Sequence, residues 1–168
     1  GIQLWLNLPA AKKMMPANYQ HVKSEAIKVV KNQDKTIELK IVAGEQKGKF
    51  GAVKTQTSVN VFTVKTQNFG NMEIDIPETH QSLVYLLDGE VLINDIAALK
   101  KGATQMVTFN QDGKTILIEA KKESTLLVLS GEPIKEKVAQ YGTYVMNTQT
   151  EIMEAMRDFQ QGKMGYLY

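Results

Sequence analysis

From Thr36 onward the chain alternates with a period of two. Ile37, Leu39 and Ile41 stand on one side and Glu38 and Lys40 on the other. Successive side chains of an extended segment point to opposite faces, so this pattern predicts a strand buried on one face only. Similar short runs recur at 59–64, 72–76, 83–87, 90–93, 105–109, 115–120 and 126–129. Turn-forming stretches separate them: Gly48-Lys49-Phe50-Gly51, Asn68-Phe69-Gly70-Asn71, Asp88-Gly89 and Gln111-Asp112-Gly113. The two Asp-Gly steps mark tight turns, because glycine tolerates a positive φ. Many short strands with turns about every eight to twelve residues predict a jelly-roll sandwich or barrel.

The two ends read differently. Residues 2–8 alternate around Trp5 as a strand or an extended linker, and Pro9 and Pro16 bracket a loop. Residues 19–30 mix helical and strand signals and predict irregular chain with short strands. Near the C-terminus, Thr148 and Glu151 form a T-x-x-E capping box, in which each side chain satisfies the other's free backbone N–H. Ile152, Met153, Met156 and Phe159 then recur at helical spacing, and Gly162 supplies a left-handed stop. Tyr141, Tyr144 and Phe159 are expected to seal this helix onto the sheet wall. The predicted organisation is a linker and first strand over 1–18, a β domain over 19–147, and a helix with its tail over 148–168. The fold class is mainly β, a jelly roll with one C-terminal α-helix.

Composition narrows the functional classes. The 168 residues suffice for one domain with a real core. Twenty basic and eighteen acidic residues leave a net charge of +2, and the pairs Lys12-Lys13, Lys100-Lys101 and Lys121-Lys122 form no single stripe. Arg157 is the only guanidinium. Nucleic-acid binding draws on clustered Lys and Arg, so direct binding is not expected. There is no Cys, which excludes disulfides, thiolate ligands and thiol nucleophiles. No apolar run approaches the roughly 18 residues that cross a bilayer, and no secretory leader opens the chain, so a cytoplasmic location is expected. The absence of an initiator Met fits a processed or excised chain.

Candidate chemistry is sparse. The chain has two His, His21 and His80. His80 with Glu78 and Asp75 could hold a divalent ion weakly, although a His at a loop or strand edge is the structural alternative. Ser82, Ser124 and Ser130 have no His nearby in sequence to act as base. Glu73 and Asp75 lie two apart on a strand and share a face, which suits acid–base work and equally a solvated sheet face. Gly44-Glu45-Gln46-Lys47-Gly48-Lys49 is too short for a phosphate-cradling loop and no helix follows it. No catalytic, cofactor-binding or metal-ligating residue is therefore assigned.

Longer strings are more specific. Gly131-Glu132-Pro133 through Tyr141-Gly142-Thr143-Tyr144-Val145-Met146-Asn147-Thr148 resembles the closing segment of the second cupin domain in the pirin family. The opening Gly1-Ile2-Gln3-Leu4-Trp5-Leu6-Asn7-Leu8-Pro9 is similar to the string that joins the two domains there. The segment from Pro77 to Val91 resembles the first cupin motif without its ligands. Counting back from Gly89 puts Ser82 at the Glu position, and the two His positions fall among Asp75, Ile76, Pro77 and Glu78. The resemblance implies a bicupin whose first domain holds a metal, usually iron, through three His and one Glu. Bacterial members are linked to quercetin 2,3-dioxygenase activity, and the animal protein is a nuclear, iron-dependent transcriptional cofactor.

On that resemblance the chain is expected to be a metal-free C-terminal cupin, the structural or binding half of such a protein. Its expected partner is the N-terminal cupin domain or a second copy of itself, with Trp5 at the interdomain or dimer surface. The alternative is a stand-alone cupin without catalysis that binds a small hydrophobic ligand in its barrel or homodimerises. A dioxygenase in its own right is the third reading, so enzymatic status stays open. No membrane partner is expected.

Overall fold

The computed structural model describes residues 1–165, which fall into two compact units: Tyr19–Pro133, and Gly1–Asn18 together with 134–165.

In Tyr19–Pro133 the strands are β1 (Lys28–Lys31), β2 (Ile37–Ala43), β3 (Glu45–Gln46), β4 (Lys49–Phe50), β5 (Val59–Thr66) and β6 (Asn71–Asp75), followed by β7 (Gln81–Asp88), β8 (Glu90–Ile93), β9 (Ala97–Lys100), β10 (Met106–Thr108), β11 (Thr115–Ala120) and β12 (Ser124–Gly131). They build a six-stranded sheet in the order β1-β2-β5-β12-β7-β10 and a four-stranded sheet in the order β6-β11-β8-β9. All these pairs are antiparallel. β3 and β4 form a separate small hairpin. Each large sheet contributes one apolar face to a single core. Ile37, Leu39, Ile41, Phe62, Val84, Leu86 and Val128 come from the first sheet, and Ile74, Val91, Ile93, Leu99, Ile116 and Ile118 from the second. Burying each such side chain contributes about 1.5–3 kcal/mol, so the alternation seen from Thr36 selects the faces that meet. Of the two expected forms, jelly-roll barrel or sandwich, the architecture is the sandwich, its two large sheets not closed into a barrel.

Most strands lie where their periodicity predicts. The Asp88-Gly89 step makes the β7–β8 turn, with Gly89 at φ +95°. A Cβ there would strike Ser124 Oγ and the Glu123 carbonyl, so the position demands glycine. The turn expected at 48–51 is part of the β3–β4 hairpin instead, and β9 lies in a stretch for which no strand is expected. Strands of two to four residues hold too few alternations to announce themselves.

The other unit holds a single helical turn, α1 (Ala10–Lys13), the hairpin β13 (Ala139–Tyr141) and β14 (Tyr144–Met146), and α2 (Gln149–Gln160). Residues 1–8 carry no regular secondary structure. Glu136 Oε2 ties the chain here, accepting from Ala10 N (2.8 Å) and from Asn147 Nδ2 (2.8 Å). The capping box forms as expected: Glu151 N donates to Thr148 Oγ1 at 3.2 Å and Thr148 N donates to Glu151 Oε2 at 2.7 Å. Gly162 follows the helix at φ +71°.

The apolar stripe of α2 needs correction. Ile152 and Ala155 are buried and Met156 is half-buried, whereas Met153 is 64% exposed and Phe159 63% exposed. Positions 152, 155 and 156 mark a narrow i, i+3, i+4 face. Met153 stands about 100° off it, and Phe159 sits in the last turn, where cover has ended. Tyr141 is also exposed and Tyr144 half-buried, so neither Tyr141 nor Phe159 seals the helix. No helix among the described residues is long and apolar enough to cross a membrane.

Candidate functional site

The centre of interest is one end of the six-stranded sheet. β12 runs between β5 and β7, and its register sets Ser130 opposite Asn60 on one side and Ser82 on the other. His80 lies just ahead of β7, with its backbone N–H donating to Pro77 O at 2.9 Å. The pairing therefore gathers residues 60, 80 and 130 although they are far apart in sequence. Asn60 Nδ2 donates to Ser130 Oγ (3.1 Å), Ser130 Oγ lies 2.9 Å from His80 Nδ1, and His80 Nε2 lies 2.9 Å from Ser58 Oγ. At the inner end, Asn60 Oδ1 accepts from Glu45 N at 3.1 Å. Gly44, at φ +87°, lets that turn approach, since a Cβ there would collide with the Asn60 carboxamide.

Proton directions follow from satisfying each group. Ser130 Oγ already accepts from Asn60, and the acceptor within reach of its own proton is His80 Nδ1. The ring then carries its proton on Nε2 and donates to Ser58 Oγ. His80 is only 4% exposed. Burial lowers its pKa below the ordinary imidazole value, and the nearby Glu132 carboxylate opposes that shift less strongly. A neutral ring at neutral pH fits this tautomer. Ser58 and Ser130 flank the imidazole as in a Ser–His catalytic pair, but the protons run outward, towards Ser58. In this state His80 cannot take a proton from Ser58, and the arrangement presents a polarised hydroxyl rather than a nucleophile.

Beside this relay lies an open groove of about 950 Å³, lined by Gln46, Phe50, Thr57, Ser58, Ile76 and His80 among others. Gln46 is 2% exposed, and neither its amide nitrogen nor its oxygen has a partner; the Thr57 hydroxyl is likewise unpaired. Charges on the rim nearly cancel, with Lys47 and Lys114 against Glu45, Asp75 and Glu78, and Lys114 pairs with Glu78 at 3.3 Å.

Several expectations change here. His80 does sit at a strand edge, but it is a buried, twice hydrogen-bonded group. Ser130 does have a His beside it, supplied across the sheet from a position 50 residues away. Ser124 serves the β7–β8 turn, accepting from Glu90 N and donating to backbone carbonyls. Glu73 and Asp75 share the exposed face of β6. Glu78 is exposed and turned to Lys114, so Asp75, Glu78 and His80 form no ligand cluster; among the described residues no three His, Asp or Glu are placed to hold a metal ion. Nothing in the sequence marks Ser58, Asn60, Gln46 or Thr57 as site residues. Their one signal was a polar residue breaking an apolar run, as Asn60 does between Val59 and Val61.

Residues 61–165 match the family model of the pirin C-terminal cupin domain. The chain belongs to the pirin family. It is 33% identical to rat pirin over 168 residues, covering 99% of this chain and 57% of that protein. A pirin-like protein of tomato is 31% identical over 167 residues, with 99% and 57% covered. The crystal structure of a quercetin 2,3-dioxygenase from Acinetobacter baumannii superposes with a TM-score of 0.89 at 34% identity, covering 98% of this chain and 56% of that one. The chain thus spans little more than half the length of the relatives it matches, and its fold is that of a cupin.

Cupins of this family raise the question of a metal, and the residues at the motif positions do not fit one. Ser82 is a half-buried hydroxyl on β7, Ile76 is a core side chain, and Pro77 offers no donor. A first-row metal needs several convergent imidazole or carboxylate groups. Here only the exposed Asp75 and Glu78 could contribute.

Proposed function

We propose that this chain works as the metal-free, non-catalytic half of a pirin-type bicupin, beside a cupin domain that carries the metal. The carrying observation is the donor set just described: Ser82, Ile76 and Pro77 stand where the motif requires ligands, and apolar side chains fill the space between the sheets. On this reading the quercetin 2,3-dioxygenase chemistry named for the Acinetobacter protein belongs to the metal-bearing domain. This domain contributes a rigid wall and a docking surface. Its exposed apolar strip, Ile2, Leu4, Trp5 and Leu6, supports contact with that domain or with a second copy, because contiguous exposed apolar residues mark interaction sites.

The test is to purify the chain, load it with ferrous iron, remove excess metal, and measure both bound iron and turnover of quercetin. Substoichiometric iron and no iron-dependent turnover are expected. One iron per chain with turnover overturns the reading.

A further inference from the structure

His80 joins two segments that both line the groove. Its Nε2 reaches Ser58 Oγ just ahead of β5, its Nδ1 reaches Ser130 Oγ on β12, and the ring is almost wholly enclosed. In the arrangement described above the ring donates at one nitrogen and accepts at the other, which only a neutral imidazole can do. We propose that His80 is a proton-operated latch: when the ring gains a second proton, the turn at 77–80 lets go of β5 and β12 and the groove widens.

The geometry of the relay carries the assignment. A protonated ring donates at both nitrogens, so Ser130 Oγ would face two donors, Asn60 Nδ2 and His80 Nδ1, while its own proton would lose its acceptor. Turning the Asn60 carboxamide over offers no remedy, because it would set Nδ2 against Glu45 N, which now donates to Oδ1. The closed relay therefore leaves a charged ring enclosed and one hydroxyl unpaired, and both are unfavourable. The other bonds of the turn run to the segment that leads into β11. Gln111 Nε2 donates to Thr79 O at 3.0 Å, Ile76 N donates to Lys114 O at 2.8 Å, and Lys114 pairs with Glu78. Release of the ring would leave the turn anchored on that side and free on the side of Ser58 and Ser130.

The charges around the ring set the direction of the response. Burial disfavours the protonated ring, and the exposed Glu132 carboxylate beyond β12 favours it less strongly. The β3–β4 hairpin brings Glu45 and Lys47 to the groove, β6 brings Asp75, and the paired Glu78 and Lys114 complete its charged lining. Carboxylates outnumber lysines there, so a ring that leaves its enclosure meets surroundings that suit a cation. The closed state binds the proton more weakly than an open one, so opening is suppressed at neutral pH and promoted below about pH 6.5. Between the native and the free imidazole values the open fraction rises up to about tenfold per pH unit. Access to the groove thereby depends on acidity. The inference does not depend on where a metal resides, so its failure would leave the preceding section standing.

The test is native-state amide hydrogen exchange of the ¹⁵N-labelled chain between about pH 7.5 and 5, at several low urea concentrations, each rate divided by its intrinsic value. The amides of His80, which donates to Pro77 O, and of Glu132, which donates to Ser58 O, report on the latch. Those of Asn94 and Ala120, bonded to Leu117 O and Gly70 O, serve as references. Exchange at His80 and Glu132 should rise about threefold or more as pH falls and should not depend on urea, the sign of a local opening. The references should show no urea-independent rise. The ¹⁵N shifts of the His80 ring should report a proton on Nε2 at neutral pH, and His80→Gln should abolish the rise. Four results overturn the proposal: no rise on acidification, a rise that follows urea as steeply as global unfolding does, a neutral ring protonated on Nδ1, or the same rise in His80→Gln. The first three are read on the wild type, so the test stands even where the variant does not fold.

Discussion

Replacing Gln46 by Met should stabilise this protein. The side chain is 2% exposed and both polar atoms of its carboxamide are without partners, so folding strips the group of water and returns nothing. An unsatisfied buried polar group costs about 1–3 kcal/mol, and replacing it by an apolar group of similar shape removes that cost. Methionine matches glutamine in length and adapts to irregular space. The expected gain is about 1–3 kcal/mol, the lower figure applying if the two atoms share one desolvation cost. For a chain of this size each kcal/mol moves Tm by about 2–4 °C, giving a rise of about 2–12 °C. Calorimetry and urea denaturation of the wild type and Gln46→Met measure it directly. Gln46→Ala serves as the control that removes the same polar atoms but leaves a void, and it should gain less or lose stability. If Gln46→Met is no more stable than the wild type, the carboxamide is satisfied in solution and the reasoning about this site fails.

Two further perturbations test other parts of the structure. The lowered pKa of His80 means the unfolded chain binds its proton more readily than the native one, so the contribution of His80 is full above about pH 6.5 and falls as pH drops through the depressed native value. Urea unfolding between about pH 6.5 and 5 should therefore lose stability in the wild type and lose less in His80→Gln; identical pH profiles would refute the assignment. Thr148→Ala removes the side-chain half of the capping box on α2 and should cost about 1 kcal/mol, read as faster amide exchange in the first turn of the helix; unchanged exchange there would show that Glu151 alone holds the end.

The sandwich was legible because its strands bury one face each. From Ile37-Glu38-Leu39-Lys40-Ile41 onward the alternation is a direct imprint of the core, and Asp88-Gly89 marks a turn that only glycine can make. The capping box at Thr148 was legible for a similar reason, since its two partners lie three residues apart. The site was not. Asn60, His80 and Ser130 meet only because β12 lies between β5 and β7, and no local spacing in the sequence links any one of them to the others. Met153 and Phe159 show the converse error: helical spacing states which side chains could share a face, while exposure depends on how much of that face is covered.

The hydrogen-bonded relay from Asn60 through Ser130 and His80 to Ser58 also bears on how the sheet forms. It spans three strands, and every link requires one register of β12 against both neighbours. A slip of one residue would turn Ser130 to the opposite face of the sheet, strand a buried imidazole and leave Asn60 without an acceptor. Such a network acts as a checksum on strand alignment. It gives nothing to early, local encounters, and it rewards only the chain in which segments 50 and 70 residues apart have all found their correct places.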